Sequence, residues 1–234
     1  MSSARKKGSK SVVTGRRGHN KVTVKGRGRR SSSTRWLQRQ LNDPYVQEAQ
    51  DAGYRSRAAF KLIELDQKFN FLKSGKIVVD LGAAPGGWSQ VAANRVGKRG
   101  MVLAVDIQKI DPIPGVITLE MDATTEIALE SMVRTLKCPP NIVLSDMASR
   151  STGHAQTDHL RVVALAELAE FAASKLLAPG GIFVAKVFKG GSEGELLRNL
   201  KAKYDRVKHA KPPASRSGSA EEYVVAQGFK KSIY

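Results

Sequence analysis

From about Asp43 onward the chain alternates between short β-branched apolar runs and longer stretches in which apolar residues recur at helical spacing. Lys76–Leu81 (KIVVDL), Met101–Asp106 (MVLAVD), Val116–Met121, Asn141–Asp146 (NIVLSD) and Ile182–Phe188 (IFVAKVF) read as strands. Helical patterns cover Arg55–Phe69, Gly87–Val96, Glu126–Leu136, His159–Leu177 and Glu193–Tyr204, and Gly180-Gly181 stops the fourth of these. Two further strands, near Arg206–Ala210 and Glu222–Gln227, finish the chain. Strands separated by helices of about 10–15 residues form right-handed βαβ units, so the pattern predicts an α/β, Rossmann-like domain with a mostly parallel, doubly wound sheet. There is no internal repeat.

The first 42 residues break this pattern. Stretches such as SSARKKGSKS and KGRGRRSSSTR carry few apolar side chains, too few to offset the entropy of ordering them. They divide the chain into a basic flexible arm, 1–42, and a domain, 43–234. The whole chain has a formal charge of +18, and the arm holds 13 Lys/Arg and no Asp or Glu. Such a block serves as a solubilising tail, as a nucleic-acid-binding arm that displaces counterions from phosphates, or as an organellar transit peptide. Val12, Val13, Val22 and Val24 do not form the helical stripe of a transit peptide, which leaves mitochondrial targeting as the lesser alternative to a cytoplasmic protein. No apolar run approaches the ~18 residues of a membrane span. Cys138 is the only cysteine, which excludes an internal disulfide or a multi-cysteine zinc site. The partner implied by the charge is a polyanion.

In doubly wound sheets ligands bind beyond the C-terminal ends of the strands. Here the first strand runs into Asp80-Leu81-Gly82-Ala83-Ala84-Pro85-Gly86-Gly87-Trp88, whose glycines allow a tight turn and close backbone approach. A glycine-rich turn alone suits many nucleotides. Asp80 narrows the choice, because a carboxylate beside the turn repels a pyrophosphate and attracts an ammonium or sulfonium, as in S-adenosylmethionine. Asp106 ends the next strand 24 residues after Gly82, where an acid binds ribose hydroxyls, and Asp122 follows the third strand within reach of an adenine edge. Singly, each aspartate reads as a turn or cap residue. Three acids ending three successive strands read as a cofactor pocket.

The stretch VVDLGAAPGGWSQVA, with SRAAFKLIEL before it and VDIQKIDP, SDMAS, LLAPGGIFVAKVF and EYVVAQG after it, resembles the FtsJ/RlmE family of ribosomal RNA ribose 2′-O-methyltransferases. The likeness spans residues 53–229. It implies the seven-stranded S-adenosylmethionine-dependent methyltransferase fold, with Gly86, Trp88, Asp106, Asp122 and Asp146 at the cofactor. It also implies S-adenosylhomocysteine as product, no metal, a large-subunit rRNA uridine presented in the ribosomal particle, and a monomer. The family's Lys-Asp-Lys-Glu tetrad falls on Lys61, Asp146, Lys186 and Glu221.

These residues make chemical sense apart from the likeness. Lys186 sits in an apolar strand, on the side of Ile182, Val184 and Phe188 by two-residue alternation. A lysine there must snorkel, pair with an acid or lose its charge. Asp146 ends the neighbouring strand and is its expected partner. A ribose hydroxyl must shed its proton as it attacks, so Lys186 is suited either to accept that proton or to hold a positive charge beside the oxygen. Asp146 would orient Lys186, while Lys61 and Glu221 would position the ribose. Glu222 points to the opposite face, and a slip of one residue would exchange it with Glu221.

The family commonly continues SDMA with Pro-Asn, whereas this chain has Ser149-Arg150 and then STGHAQTDH, a loop expected to border the substrate. His154 and His159 lie near it without cysteine or a paired acid at metal spacing. A base-amine methyltransferase would carry Asp/Asn-Pro-Pro-aromatic where Asp146-Met147-Ala148-Ser149 stands. Cys138 precedes its strand and is at the wrong end for carbon-5 chemistry. A small-molecule O-methyltransferase leaves the charge unexplained. The remaining alternatives are another RNA target, such as tRNA, and a ribosome-assembly factor that retains the pocket. Arg206, Lys208, Lys211 and Arg216 form a second acid-poor basic run, suited to phosphates or to simple solvation.

Overall fold

A computed structural model describes Thr23 and residues 31–149, 151–190 and 194–230. By internal contacts the chain divides into residues 1–44 and 45–234. In the first unit, Ser31–Leu41 is helix α1, ending where the Asn42 amide group donates to the Gln38 carbonyl at 2.6 Å. The sequence reading had placed this stretch in a flexible arm. Its serines and threonine are followed by Leu37, Gln38 and Gln40 with no glycine or proline to interrupt, which permits the helix. Residues 1–22 and 24–30 of the arm lie outside the described residues.

Helix α2 (Pro44–Asp51) begins at the last residue of the first unit, and the second unit holds α3 (Ala58–Phe69), α4 (Gly87–Val96), α5 (Glu126–Leu136), α6 (Ala155–Leu176) and α7 (Gly194–Lys203). Its seven strands are β1 (Ile77–Leu81), β2 (Met101–Asp106), β3 (Val116–Glu120), β4 (Ile142–Ser145), β5 (Ile182–Phe188), β6 (Tyr204–Ala210) and β7 (Glu221–Phe229). They form one sheet in the order β3-β2-β1-β4-β5-β7-β6. The five strands from β3 to β5 are mutually parallel, and β7 is antiparallel to both of its neighbours. The chain order reverses between β1 and β4. Crossover helices leave these two strands in opposite directions, opening a crevice beyond their carboxyl ends.

Two-residue alternation divides the sheet between two cores. Val79, Val143, Phe183, Ala185 and Val224 pack with Met132 of α5, Ala169 of α6 and Leu196 of α7. Val78, Ile142, Leu144, Val184, Tyr223 and Val225 pack with Leu62 and Leu65 of α3 and Trp88 of α4. Strands buried on both faces explain the near-continuous apolar runs of the sequence. By the same parity Asp80, Lys186 and Glu221 belong to the α3/α4 face, and Glu222 to the other.

Candidate active site

At the reversal of strand order the structure has a cavity of about 460 Å³, lined in part by Gly82, Ala84, Asp106, Asp122, Asp146 and Met147. Gly82 turns the chain out of β1 at φ 71°, and a Cβ there would run into the Met147 side chain. The Asp106 carboxylate accepts the Ala84 amide at 2.9 Å and the Gln108 amide at 2.8 Å, fixing its orientation at the rim. Asp122 accepts the Thr124 amide and hydroxyl on one oxygen, and these bonds hold its carboxyl below the usual range. Ile107, Gln108, Ala148, Leu165 and Leu168 complete much of the lining, and the sequence reading missed them. A signal existed for the first two, which follow the strand-ending Asp106; α6 gave none for Leu165 and Leu168.

Gly86 and Trp88 are not among the lining residues. Trp88 is 3 % exposed, donates its indole N–H to the Ala58 carbonyl at 2.8 Å and lies 5.5 Å, ring to ring, from Tyr223. Its side chain joins α4 to α3. Gly86 caps α4 at φ 109°, with Ile113, Ile110 and Arg55 crowding the space a Cβ would take. The Gly86 amide donates to the Ala83 carbonyl at 2.7 Å and its carbonyl accepts the Gln90 amide at 2.9 Å, so this residue closes the turn into α4.

Beneath the turn, Asp80 is 1 % exposed and accepts the Ser89 hydroxyl at 2.6 Å. Its other oxygen has no hydrogen-bond partner among the described residues. Burial pushes the carboxyl up to about 7, against the Ser89 bond, and the nearby Asp146 and Asp106 charges add to the rise. Asp106 and Asp146 line the cavity, and Asp80 lies close enough to feel both of their charges. An under-satisfied buried acid among like charges fits a ligand that carries positive charge.

Asp146 joins this cavity to a cluster of charged residues. Lys186 donates to the Asp146 carbonyl at 2.8 Å and pairs with its Oδ1 at 3.1 Å. The Tyr223 hydroxyl donates to the same Oδ1 at 2.7 Å. Lys61, from α3, lies 3.8 Å from Oδ2 of Asp146 and 2.8 Å from Glu221. Burial alone would raise the Asp146 carboxyl, but Lys186, then Lys61 and the Tyr223 hydroxyl, outweigh it and hold the group below its ordinary range. Burial, and then the Asp146 and Glu221 charges, push the Tyr223 phenol far up, so it remains a donor. The structure therefore brings together all four members of the predicted tetrad. Register resolves the neighbouring glutamates: Glu221 stands opposite Phe188 and reaches Lys61, while Glu222 lies 3.8 Å from His209. Tyr223 was not singled out in the sequence, although its position two residues after Glu221 puts it on the same face.

The loop that departs from the family pattern folds onto the first turn of α6. Asp158 accepts the Ser151 hydroxyl and both the amide and hydroxyl of Thr152, which bring its carboxyl down to about 2. Arg150 lies outside the described residues. His159 packs against Phe188, and the described residues contain no cluster of three potential metal ligands. Cys138 is exposed, before β4. Arg206 and Lys208 are exposed on β6, whereas Lys211 donates to the carbonyls of Ser217 and Ser219.

Residues 54–229 match the model of the FtsJ-like methyltransferase family. A protein of Paramagnetospirillum magneticum named ribosomal RNA large subunit methyltransferase E is 55 % identical over 223 residues, covering 92 % of this chain and 91 % of its own. The protein of the same name from Sphingopyxis alaskensis is 58 % identical over 217 residues, covering 92 % and 94 %. Among solved structures, a ribosomal RNA methyltransferase from Plasmodium falciparum superposes with a TM-score of 0.67 at 31 % identity, over 75 % of this chain and 98 % of that one. A sheet with one antiparallel strand near its edge, an acid-lined crevice at the strand reversal, and a family match across nearly the whole domain agree: this chain belongs to the FtsJ-like methyltransferases.

Proposed function

We propose that this protein transfers a methyl group from S-adenosylmethionine to a ribose 2′-hydroxyl of large-subunit ribosomal RNA, at a uridine presented in the ribosomal particle. The observation that carries the reading is Asp146, a single side chain that lines the cavity and also grips Lys186 at 3.1 Å. Such an arrangement couples the seat of a methyl donor to a positively charged group at the place of attack. The relatives named as ribosomal RNA large subunit methyltransferases, at 55 % and 58 % identity, support the choice of RNA.

When bound, S-adenosylmethionine supplies an electrophilic methyl on a sulfonium and departs as S-adenosylhomocysteine. Asp106 and Asp122 would receive its ribose and adenine, Asp146 from the lining and Asp80 from beneath the turn would offset its positive charge, and Gly86 and Trp88 would act by shaping the turn and helix that hold it. Lys186 engages Asp146 at its carbonyl and at Oδ1, and its third N–H would be left for an incoming 2′-oxygen. There its charge would stabilise the developing alkoxide while the 2′-proton passes to solvent, the new O–C bond forming as the methyl–sulfur bond breaks. Lys61, held between Glu221 and Asp146, would orient the sugar. Lys and Arg of residues 1–42 would bind phosphates, in a monomer acting in the cytoplasm. No described helix is long and apolar enough to cross a membrane.

Labelled methyl transfer to ribosomal subunits tests this. Lys186→Ala is expected to lower the rate about 10²–10⁴-fold while leaving cofactor affinity nearly unchanged. Unimpaired transfer by Lys186→Ala would refute the mechanism. Mapping 2′-O-methyl groups in rRNA from cells with and without the gene identifies the nucleotide, and an unchanged map would refute the target.

A further inference from the structure

The loop between β6 and β7 does not behave as a surface connection. Ala214 is 0 % exposed and Ser215 4 %, in a segment of a kind that normally runs over the outside of a protein. Both polar groups of the Ala214 backbone are taken by side chains of one region. Its amide donates to Glu64 at 2.7 Å, and its carbonyl accepts from Arg57 at 2.5 Å. Glu64 is itself held by the Tyr45 hydroxyl at 3.0 Å. The spacing of Arg57, Lys61 and Glu64 is that of one helix face, so the face that presents Lys61 also fastens this loop. Lys211 closes the loop's base on the carbonyls of Ser217 and Ser219, and the Ser215 amide donates to the Pro212 carbonyl.

The fastened loop delivers the Ser215 hydroxyl to Oε1 of Glu221 at 2.7 Å. The Glu221 amide donates to the Ser219 hydroxyl at 3.1 Å, so two serines of the loop fix both ends of this residue. We propose that Ser215 is a positioning residue for methyl transfer: it sets the Glu221 carboxylate so that Lys61 is drawn to Glu221 and away from Asp146. The distances express that division. Lys61 is 2.8 Å from Glu221 but 3.8 Å from Asp146, and Lys186 has the closer pairing with Asp146. Without the Ser215 hydroxyl the carboxylate can rotate, Lys61 is freer to approach Asp146, and two ammonium groups compete for one acid. This inference rests on the reading of Glu221 as part of the active site.

A double-mutant cycle tests it, using the full chain, S-adenosylmethionine and ribosomal subunits at saturation. Ser215→Ala is expected to lower kcat about tenfold, the scale of one hydrogen bond to a charged group, with cofactor Kd unchanged. In a Glu221→Gln background, itself impaired, the same substitution is expected to cost less than twofold, because its effect passes through the carboxylate. Equal fractional losses in both backgrounds would assign Ser215 a merely structural role and overturn the proposal, as would full activity of Ser215→Ala beside an impaired Glu221→Gln. A fully active Glu221→Gln would instead overturn the reading of Glu221.

Discussion

Two lysines are retained at the carboxyl edge of the sheet at low exposure, Lys61 at 8 % and Lys186 at 7 %. Removing an ammonium from water costs several kcal/mol unless acids and hydrogen bonds replace the solvent. Asp146 and Glu221 supply that replacement, so the cluster is sensitive to loss of any member. Asp80 has the opposite arrangement. It is buried with no cation paired to it among the described residues, and its carboxyl is pushed up to about 7. The sign of the linkage follows. The unfolded chain loses this proton near pH 4 and the native protein near pH 7, so Asp80 contributes stability below about pH 4 that is lost as pH rises through 7. The upper bound of the effect is on the order of 4 kcal/mol. Urea unfolding should show the ligand-free protein losing stability between pH 5 and pH 8, relative to Asp80→Asn, which keeps a partner for Ser89. Parallel pH profiles for the two proteins would mean that Asp80 is ionised throughout.

At the scale of elements, the turn from β1 into α4 places the donor pocket against the charged cluster. Gly82 lies in the left-handed region at φ 71°, and a Cβ would strike Met147, which follows Asp146. Gly82→Ala should therefore cost at least about 1–2 kcal/mol of stability from the backbone alone, and should weaken cofactor binding through displacement of Met147. Unchanged melting and binding would show that the turn relaxes freely. The strands of this region could be read from sequence because burial on both faces forces continuous apolar runs such as IVVDL and IFVAKVF. The pairing of Lys186 with Asp146 could be read because a lysine in such a run needs an acid nearby, whereas Lys61 and Glu221 came from the family likeness. Other features left weaker traces. The amphipathic signal of α2 is short and mostly polar, and α6 begins at Ala155, four residues before its apolar pattern does. Trp88 shows a different limit. Periodicity places it on the inner side of α4, but only coordinates show that its indole bonds Ala58 and not the cavity. The Ser215–Glu221 contact depends on how a proline-containing loop folds back, and no periodicity records that.

For the whole molecule, charge is distributed unevenly relative to chemistry. The cavity is lined by three acids, Asp106, Asp122 and Asp146, while 13 of the 39 Lys and Arg lie in residues 1–42. A ribosomal RNA is far too large to be held by a pocket of about 460 Å³. Its binding must come from many phosphate contacts, which position the RNA without reading its sequence. Each such contact releases condensed counterions, so the logarithm of affinity falls with the logarithm of salt by about 0.7–0.9 per phosphate engaged. If the basic segment supplies several contacts, deleting residues 1–42 should weaken binding to ribosomal subunits and flatten the salt dependence by several units of slope. Cofactor affinity should not change, since the acids lining the cavity all lie beyond Asp80. Methyl transfer at saturating RNA should survive while the apparent KM for RNA rises, because the tetrad is contributed by residues 61–221. Binding titrations at about 50 and 200 mM salt, on the full chain and the truncation, separate the cases. An unaltered slope would place the phosphate contacts on the sheet domain itself, where exposed Arg206 and Lys208 of β6 would be the next residues to neutralise.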